Sequence, residues 1–282
     1  MKQDINKYKL PTHVKMLHRQ NDYHVYATPE EFLKELPDVS TITYLKDNWK
    51  TSIYEDPKNL LEQLLLTTQI NDTLKLEHIP ISEHEHTSFE QLLNDYPTTT
   101  VFKTRFNMKD YEAVKDYHLT LRQLAPFTTV MLNHHYIDTS GYDSSTKHYE
   151  VSEVISAFDN ELTLVMHPGI AASNLAISNV EAFIMKREVE RLDDFDLDIK
   201  VINSNQAEVT FKCLDVEGRP YLNCMIMDPK GNTLLTQELD YDKPIQLRIT
   251  HPIVTTPETE HFYVCIIESE TEYIKQEFVI KL

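Results

Sequence analysis

A histidine-rich stretch, residues 128–145, carries the residue types that acid–base chemistry needs. In TTVMLNHHYIDTSGYDSS an apolar run leads into Asn133, His134, His135 and Asp138. A histidine can take up or release a proton near neutral pH, and a nearby carboxylate can orient it. We therefore assign His134, His135 and Asp138 as candidate catalytic residues, and Asn133 as a candidate substrate-binding residue.

Four further candidates lie at the ends of other predicted strands. They are the candidate catalytic residue His167 and the candidate substrate-binding residues Asp47, Trp49 and Arg105. If the strands run parallel, their carboxyl ends share the edge of the sheet where ligands usually bind. Histidine, carboxylate and arginine together could perform acid–base catalysis, or bind an anionic or polyhydroxyl ligand. The alternative is that these residues are polar only because the chain leaves the core there.

Metal and nucleotide chemistry have little support in the sequence. His84 and His86 could lie on one side of the segment EHEH, with His134 or His167 as a further ligand, but there is no HExxH and no zinc-type spacing. The chain has only four glycines and lacks GxGxxG, GxxxxGK[ST] and GxSxG motifs, whose loops require glycine. We predict no metal site and no cofactor.

Strands and helices alternate over the first two-thirds of the chain. Apolar or β-branched runs predict strands at 24–27, 39–45, 73–81, 98–106, 127–137 and 161–167. Capping residues and apolar spacing predict helices at 28–36, 55–69, 88–96, 108–125, 150–159 and 173–192. Helices between successive strands imply crossover connections and hence a largely parallel sheet.

The pattern changes after Leu192. The segment LDDFDLDIK reads as an acidic hinge, and from Ile199 onward short strands alternate with turn signals such as DPKGN. The predicted fold is therefore α/β, a mostly parallel sheet flanked by helices, followed by a C-terminal antiparallel β-sandwich of the Ig-like type. The α/β domain is expected over 1–193, with 1–20 as an irregular lead-in, and the sandwich over 194–282.

Charge and hydropathy exclude several classes of partner. The formal net charge is −18, which repels nucleic-acid phosphates, so we predict no nucleic-acid partner. No apolar run reaches the roughly 18 residues of a membrane span, and the N-terminus has no apolar core of a signal peptide. We therefore predict no membrane insertion and a cytoplasmic location.

The predicted architecture is loosely similar to that of proteins that assemble bacterial surface polysaccharides, a likeness of fold that no motif carries. It implies a cytoplasmic two-domain protein of glycan or surface-polysaccharide biosynthesis, acting as a binding or assembly module. The expected ligand is a carbohydrate or nucleotide sugar, and the expected partner is another protein or a second copy bound through the C-terminal sandwich. Two alternatives remain: an acid–base hydrolase or transferase acting on carbohydrate, and a non-catalytic protein-interaction scaffold.

Overall fold

Strands account for nearly all the regular structure in the part of the chain that the structure describes. A computed structural model describes residues 14–17, 19, 23–34, 38–46, 49–54, 99–125, 128–140, 146–166 and 180–281. The described residues contain no α-helix, and Pro29–Leu33 form a short 3-10 helix. No helix within these ranges is long and apolar enough to cross a bilayer.

The described residues form eighteen strands, numbered in chain order. They are β1 (Lys15–Leu17), β2 (His24–Tyr26), β3 (Ile42–Tyr44), β4 (Lys50–Tyr54), β5 (Thr99–Phe106), β6 (Asp116–Arg122), β7 (Thr128–Leu132), β8 (His135–Thr139), β9 (Lys147–Glu150), β10 (Asn160–Met166), β11 (Glu181–Arg187), β12 (Arg191–Asn203), β13 (Gln206–Glu217), β14 (Asn223–Met227), β15 (Thr233–Glu238), β16 (Ile245–Thr250), β17 (Phe262–Glu268) and β18 (Tyr273–Val279).

The chain divides into two compact units. Unit 1 comprises Met1–Leu17, Thr43–Ala113 and Tyr117–Ile184, and unit 2 comprises His18–Ile42, Val114–Asp116 and Met185–Leu282. The described residues of unit 1 contribute to two five-stranded sheets, with the strand orders β1-β9-β6-β11-β3 and β4-β5-β10-β7-β8. The second of these sheets is antiparallel throughout.

The core of unit 1 lies between its two sheets. Leu119 and Tyr149 from one sheet and Val130, Leu162 and Leu164 from the other belong to a single buried cluster, each 0–1% exposed. Burying an aliphatic or aromatic side chain of this size stabilises a fold by about 1.5–3 kcal/mol. Face-to-face packing of two sheets around such a cluster defines a β-sandwich.

Unit 2 also contains two sheets. Their strand orders are β15-β14-β17-β18-β2 and β12-β13-β16, and the pairs within both sheets are antiparallel. The ring of Phe195 stacks on Phe211, with centroids 5.2 Å apart, and packs against Tyr23 at 5.6 Å. Cys213, Cys224 and Cys265 are free and buried, as is common for cysteines that pack as small apolar side chains.

A fully buried arginine is held inside unit 2. Arg187 donates from Nε and Nη2 to the carboxylate of Glu272 at 3.1 Å, from Nη2 to the carbonyl of Leu192 at 2.8 Å, and from Nη1 to the Tyr23 hydroxyl at 3.2 Å. Burial opposes the charge, but Glu272, Tyr23 and Asp193 outweigh it and raise the pKa of Arg187. A charge in the interior requires this kind of hydrogen-bonded partner.

The predicted α/β class is wrong, because the described residues form antiparallel sheets without flanking helices. Residues 108–125, predicted as a helix, contain a loop and then β6, whose centre is fully buried. Residues 150–159, also predicted as a helix, contain the end of β9 followed by turns and irregular structure. The predicted helix at 173–192 is described from residue 180 onward, where the chain forms β11 and the start of β12. The predicted elements at 55–69, 73–81 and 88–96 lie outside the described residues.

The error has a physical cause. The sequence EAFIMKR of β11 consists largely of good helix formers, but helix propensities of ordinary residues differ by less than about 0.7 kcal/mol. Phe183 and Ile184 are each 0% exposed within β11, and burial on this scale outweighs such a difference. The predicted acidic hinge is likewise part of β12, in which Asp193 and Asp194 are buried.

Candidate functional site

The order of strands in one sheet brings two predicted site segments together. Strand β10 lies between β5 and β7 and is antiparallel to both, so β5 and β7 run in the same direction. Arg105 lies directly opposite Glu161 at the start of β10, and the amide of Asn133, just after β7, donates to the Glu161 carbonyl at 2.9 Å. The C-terminal ends of β5 and β7 therefore lie on the same side of the sheet, next to the start of β10, although the sheet is antiparallel.

An open cleft lies at this edge of unit 1. It has a volume of about 310 Å³ and is called cleft 1 here. Its lining residues are Arg105, Asn133, His134, Ser156, Asp159 and Glu161. Three of the eight predicted site residues, Arg105, Asn133 and His134, are thus on one surface.

Glu161 anchors the charged part of cleft 1. Its carboxylate accepts from Lys103 Nζ at 2.6 Å and from Arg105 Nε at 3.1 Å. Burial works against ionisation, but the hydrogen bonds and charges of Lys103 and Arg105 prevail and hold the pKa of Glu161 below its ordinary value. Glu161 is therefore ionised at neutral pH, and it fixes the guanidinium of Arg105, whose side chain remains 62% exposed.

A tight turn positions Asn133 and His134. Both residues have positive φ, 49° and 67°, and they connect β7 and β8 as the two-residue loop of a hairpin. Asn133 Nδ2 donates to the Val154 carbonyl at 2.7 Å and to Asn160 Oδ1 at 2.8 Å, and Asn133 Oδ1 accepts from the backbone amide of Glu161 at 2.8 Å. Asparagine tolerates this backbone region better than most residues, which accounts for its place here.

A second cleft adjoins the first. It has a volume of about 420 Å³, is called cleft 2 here, and shares Arg105 and Asp159 with cleft 1. Its other lining residues are Tyr44, Leu45, Thr104, Phe106 and Asn107. Asn107 Oδ1 accepts from the Asp159 amide at 3.0 Å, and this bond fixes Asp159 at a positive φ of 57°.

The remaining predicted residues have other surroundings. His135 is exposed at the start of β8 and does not line either cleft. The Asp138 carboxylate accepts from the Tyr149 hydroxyl at 2.9 Å and from the Thr139 amide at 2.7 Å, so both of its oxygens bond to residues of the unit 1 sandwich. Asp138 lines neither cleft. Trp49 packs against the core of unit 1 and donates from Nε1 to the Leu45 carbonyl at 2.9 Å.

Two predicted residues, Asp47 and His167, lie outside the described residues, as do His84 and His86. The C-terminal end of β10, Met166, pairs with Thr100 and Thr128, at the opposite end of the sheet from Asn160. Within the described ranges, histidine, cysteine and carboxylate side chains form no group of three that could hold a metal ion.

Sequence reasoning missed the other three lining residues of cleft 1, Ser156, Asp159 and Glu161. All three were assigned to the end of a helix or the start of a strand without a role. The signal was the segment SAFDNE, because Asp and Asn directly before a β-branched or apolar run favour turns with positive φ. The Ser156 hydroxyl donates to the Phe158 carbonyl at 2.7 Å and thereby closes this turn.

The side chains that line cleft 1 are better suited to binding a polar ligand than to general acid catalysis. Glycoside hydrolysis in its usual form needs two carboxyl groups, one of which stays protonated to act as the general acid. Hydrogen bonds from Lys103 and Arg105 hold the pKa of Glu161 below its ordinary value, so this carboxylate stays ionised and does not suit the role of general acid. Arginine, asparagine, histidine and carboxylate groups on a preformed surface are instead suited to hydrogen bonding with a polar ligand.

Comparison with known proteins finds one weakly similar sequence and several similar folds. A scan against models of protein families finds no match. A β-galactosidase of Staphylococcus xylosus is 19% identical over 189 residues, which cover 64% of this chain and 19% of that protein.

Solved structures show the same relationship. A β-glucuronidase of an uncultured Clostridium sp. superposes with a TM-score of 0.63 at 13% identity, covering 85% of this chain and 44% of that one. A β-glucuronidase of Lactobacillus rhamnosus gives a TM-score of 0.62 at 14% identity, again covering 85% of this chain and 44% of that one. A Ruminococcus gnavus β-glucuronidase in complex with uronic isofagomine gives 0.59 at 13% identity, with 85% and 43% covered. The chain thus spans less than half the length of these proteins and shares with them the fold of its β-sandwich units.

Proposed function

We propose that this chain binds carbohydrate through the edge of the unit 1 sandwich at which cleft 1 lies. One observation carries the proposal: Arg105 is held by Glu161 in an open polar cleft while most of its side chain stays exposed. A guanidinium has five N–H donors in a fixed plane, and the bond to Glu161 uses one of them. The remaining donors suit the vicinal oxygens of a sugar.

The fold supports the same ligand class. The similar proteins are named β-glucuronidases and a β-galactosidase, so this β-sandwich arrangement occurs in proteins that act on sugars. The predicted role in assembling surface polysaccharide is no longer supported, because it rested on the predicted α/β domain. The predicted nucleotide-sugar ligand, protein partner and self-association through the C-terminal sandwich remain predictions.

Titration calorimetry tests the binding role. Galactose, glucose, glucuronate and their oligomers are titrated into the wild type and into Arg105→Ala. We expect binding of at least one sugar, weakened tenfold or more by the substitution. Arg248→Ala is the matched control, because Arg248 also lies opposite a glutamate, Glu208, across an antiparallel pair and is 63% exposed, but belongs to unit 2. Absence of binding to every sugar, or equal losses in both variants, contradicts the proposal.

Hydrolysis of carbohydrate is the second candidate, and the names of the similar proteins favour it. The predicted catalytic residues His134, His135, Asp138 and His167 would then act in a site to which cleft 1 contributes His134. Release of nitrophenol from 4-nitrophenyl β-galactoside and β-glucuronide by the chain, abolished by His134→Asn in a variant that circular dichroism shows to be folded, would establish this function. A chain that binds sugar but releases no nitrophenol has the binding role alone.

A further inference from the structure

Clefts 1 and 2 are adjacent, because Arg105 and Asp159 line both of them, and the two clefts together are called the groove here. Cleft 1 continues toward His134, on the turn after β7, and cleft 2 continues toward Tyr44, at the end of β3. A ligand that occupies both clefts therefore passes the Arg105 and Asp159 side chains at its middle.

The framework of the groove is fixed before a ligand arrives. Asn160 Nδ2 donates to the Ser156 carbonyl at 2.7 Å, and its Oδ1 accepts from the Ser156 amide at 2.9 Å and from Asn133 at 2.8 Å. The Asp159 amide is bonded to Asn107, which joins the two clefts. A preorganised surface loses little conformational entropy on binding, which favours recognition of an extended polar ligand.

The described lining residues of the groove carry one positive and two negative charges. Arg105 is the cation, and Asp159 and Glu161 are the anions. Behind this lining, Lys103 Nζ lies 2.6 Å from Glu161, and Lys46 Nζ lies 4.5 Å from the ring centroid of Tyr44. Among the described residues, the lining itself therefore has no excess positive charge that would attract a carboxylate or sulfate, and an acidic sugar would meet two carboxylates, which favours a neutral ligand.

Two aromatic side chains, Tyr44 and Phe106, line cleft 2, and both are half-buried. Aromatic rings supply apolar contact area at a low entropic cost, while neighbouring polar groups fix the orientation of the ligand. The apolar face of a pyranose ring and its hydroxyl groups match this mixture.

We propose that the groove binds a neutral oligosaccharide, with one sugar ring in each cleft and the glycosidic link beside Arg105 and Asp159. The inference rests on the proposed carbohydrate-binding function and narrows it to a chain of at least two neutral sugars. It assigns cleft 2 and Asp159, which had no predicted role, to ligand binding.

The test compares ligand length and charge by calorimetry. The probes are galactose and β-1,4-galactotetraose, glucose and cellotetraose, and tetragalacturonate as the acidic oligomer. We expect one neutral tetramer to bind at least tenfold more tightly than its own monosaccharide, and tetragalacturonate to bind at least tenfold more weakly than that tetramer. Arg248→Ala should leave every affinity unchanged.

Variants at each end identify the two subsites. Asn107→Ala alters cleft 2, and His134→Gly alters cleft 1 while tolerating the positive φ of this position. Each should lower the affinity for the tetramer to near that for the monosaccharide, and circular dichroism with thermal melting confirms folding. If either variant is unfolded, Asn107→Ser or His134→Asn replaces it.

The outcomes separate the two proposals. Absence of binding to any sugar overturns the carbohydrate function itself. Binding of a monosaccharide as tightly as its tetramer, or stronger binding of tetragalacturonate, overturns the oligosaccharide inference and leaves carbohydrate binding intact. A tetramer affinity that responds to His134→Gly but not to either Asn107 variant likewise removes cleft 2 from the site.

Discussion

Replacing Glu161 with glutamine should destabilise unit 1, because Lys103 would keep a buried charge without its partner. The Lys103 and Glu161 side chains are only 10% and 9% exposed, and their charged atoms lie 2.6 Å apart. Removing one partner of a buried ion pair costs about 3–5 kcal/mol. We take about 3 kcal/mol for Glu161→Gln, at the low end of that range, because Arg105, the second partner of Glu161, is largely exposed.

The assay is urea unfolding followed by fluorescence and circular dichroism, with thermal melting as a second measure. For a domain of 150–250 residues, 1 kcal/mol corresponds to about 2–4 °C, so the melting temperature should fall by about 6–12 °C. Glu208→Gln is the control, because Glu208 pairs with the exposed Arg248 at 3.8 Å and should lose less than about 1 kcal/mol.

The pH dependence supplies an independent check on the same pair. The pKa of Glu161 is lower in the folded protein than its ordinary value of 4.5, so the carboxylate stabilises the fold above that pH. This contribution is lost as the pH falls through the lowered pKa, and the stability difference between wild type and Glu161→Gln should shrink over the same interval. A loss below about 1 kcal/mol at pH 7, or one equal to that of Glu208→Gln, would refute the reasoning.

Three further substitutions test other parts of the structure. Asn133→Gly keeps the backbone conformation but removes three hydrogen bonds, so denaturant unfolding should show a loss of about 2–3 kcal/mol, with a larger loss for Asn133→Ala. Desolvation opposes ionisation of Glu31, but hydrogen bonds from Ser40, Ala27 and Lys34 outweigh it and lower its pKa to about 2. Glu31→Gln should therefore destabilise unit 2 at pH 7, the effect should shrink as the pH falls from 4.5 toward 2, and NMR titration of the carboxyl should give a midpoint near the lower value. Arg187→Met should cost about 3–5 kcal/mol in urea unfolding, because Glu272 stays buried without its cation, and adding Glu272→Met should recover much of the loss.

The C-terminal strands were predictable because their signals are local. From Ile199 onward, turn sequences such as DPKGN separate short β-branched or aromatic runs, and β13 to β18 follow this punctuation. Asp228, which begins that turn, accepts from the amides of Lys230 and Asn232 at 2.8 Å, so its geometry depends on residues within four positions. Local chemistry of this kind needs no knowledge of distant strands.

The front part of the chain was not predictable in the same way. Residues 108–125 and 181–187 have helix-compatible compositions, but the described residues there form loop and strand, because partners far along the chain satisfy their backbone groups and bury their side chains. Leu119 pairs with Tyr149 and His118 with Glu150, contacts that no window of neighbouring residues contains. The same limitation concealed Asp159 and Glu161, whose roles depend on β5 and β7.

The sequence by itself determined which polar residues were available for a site and which of them lie at the ends of strands. Arg105, Asn133 and His134 were identified because they lie at the ends of apolar runs. Such runs form strands in the predicted α/β fold and in the observed β-sandwich alike, so these three residues line cleft 1 although the predicted fold was wrong. Only the tertiary structure decided that β10 lies between β5 and β7, and hence that these three residues share one cleft. The reason is that the side-chain pattern of a strand is local, whereas its neighbours in a sheet are chosen by long-range packing, where burial of whole side chains outweighs local propensity.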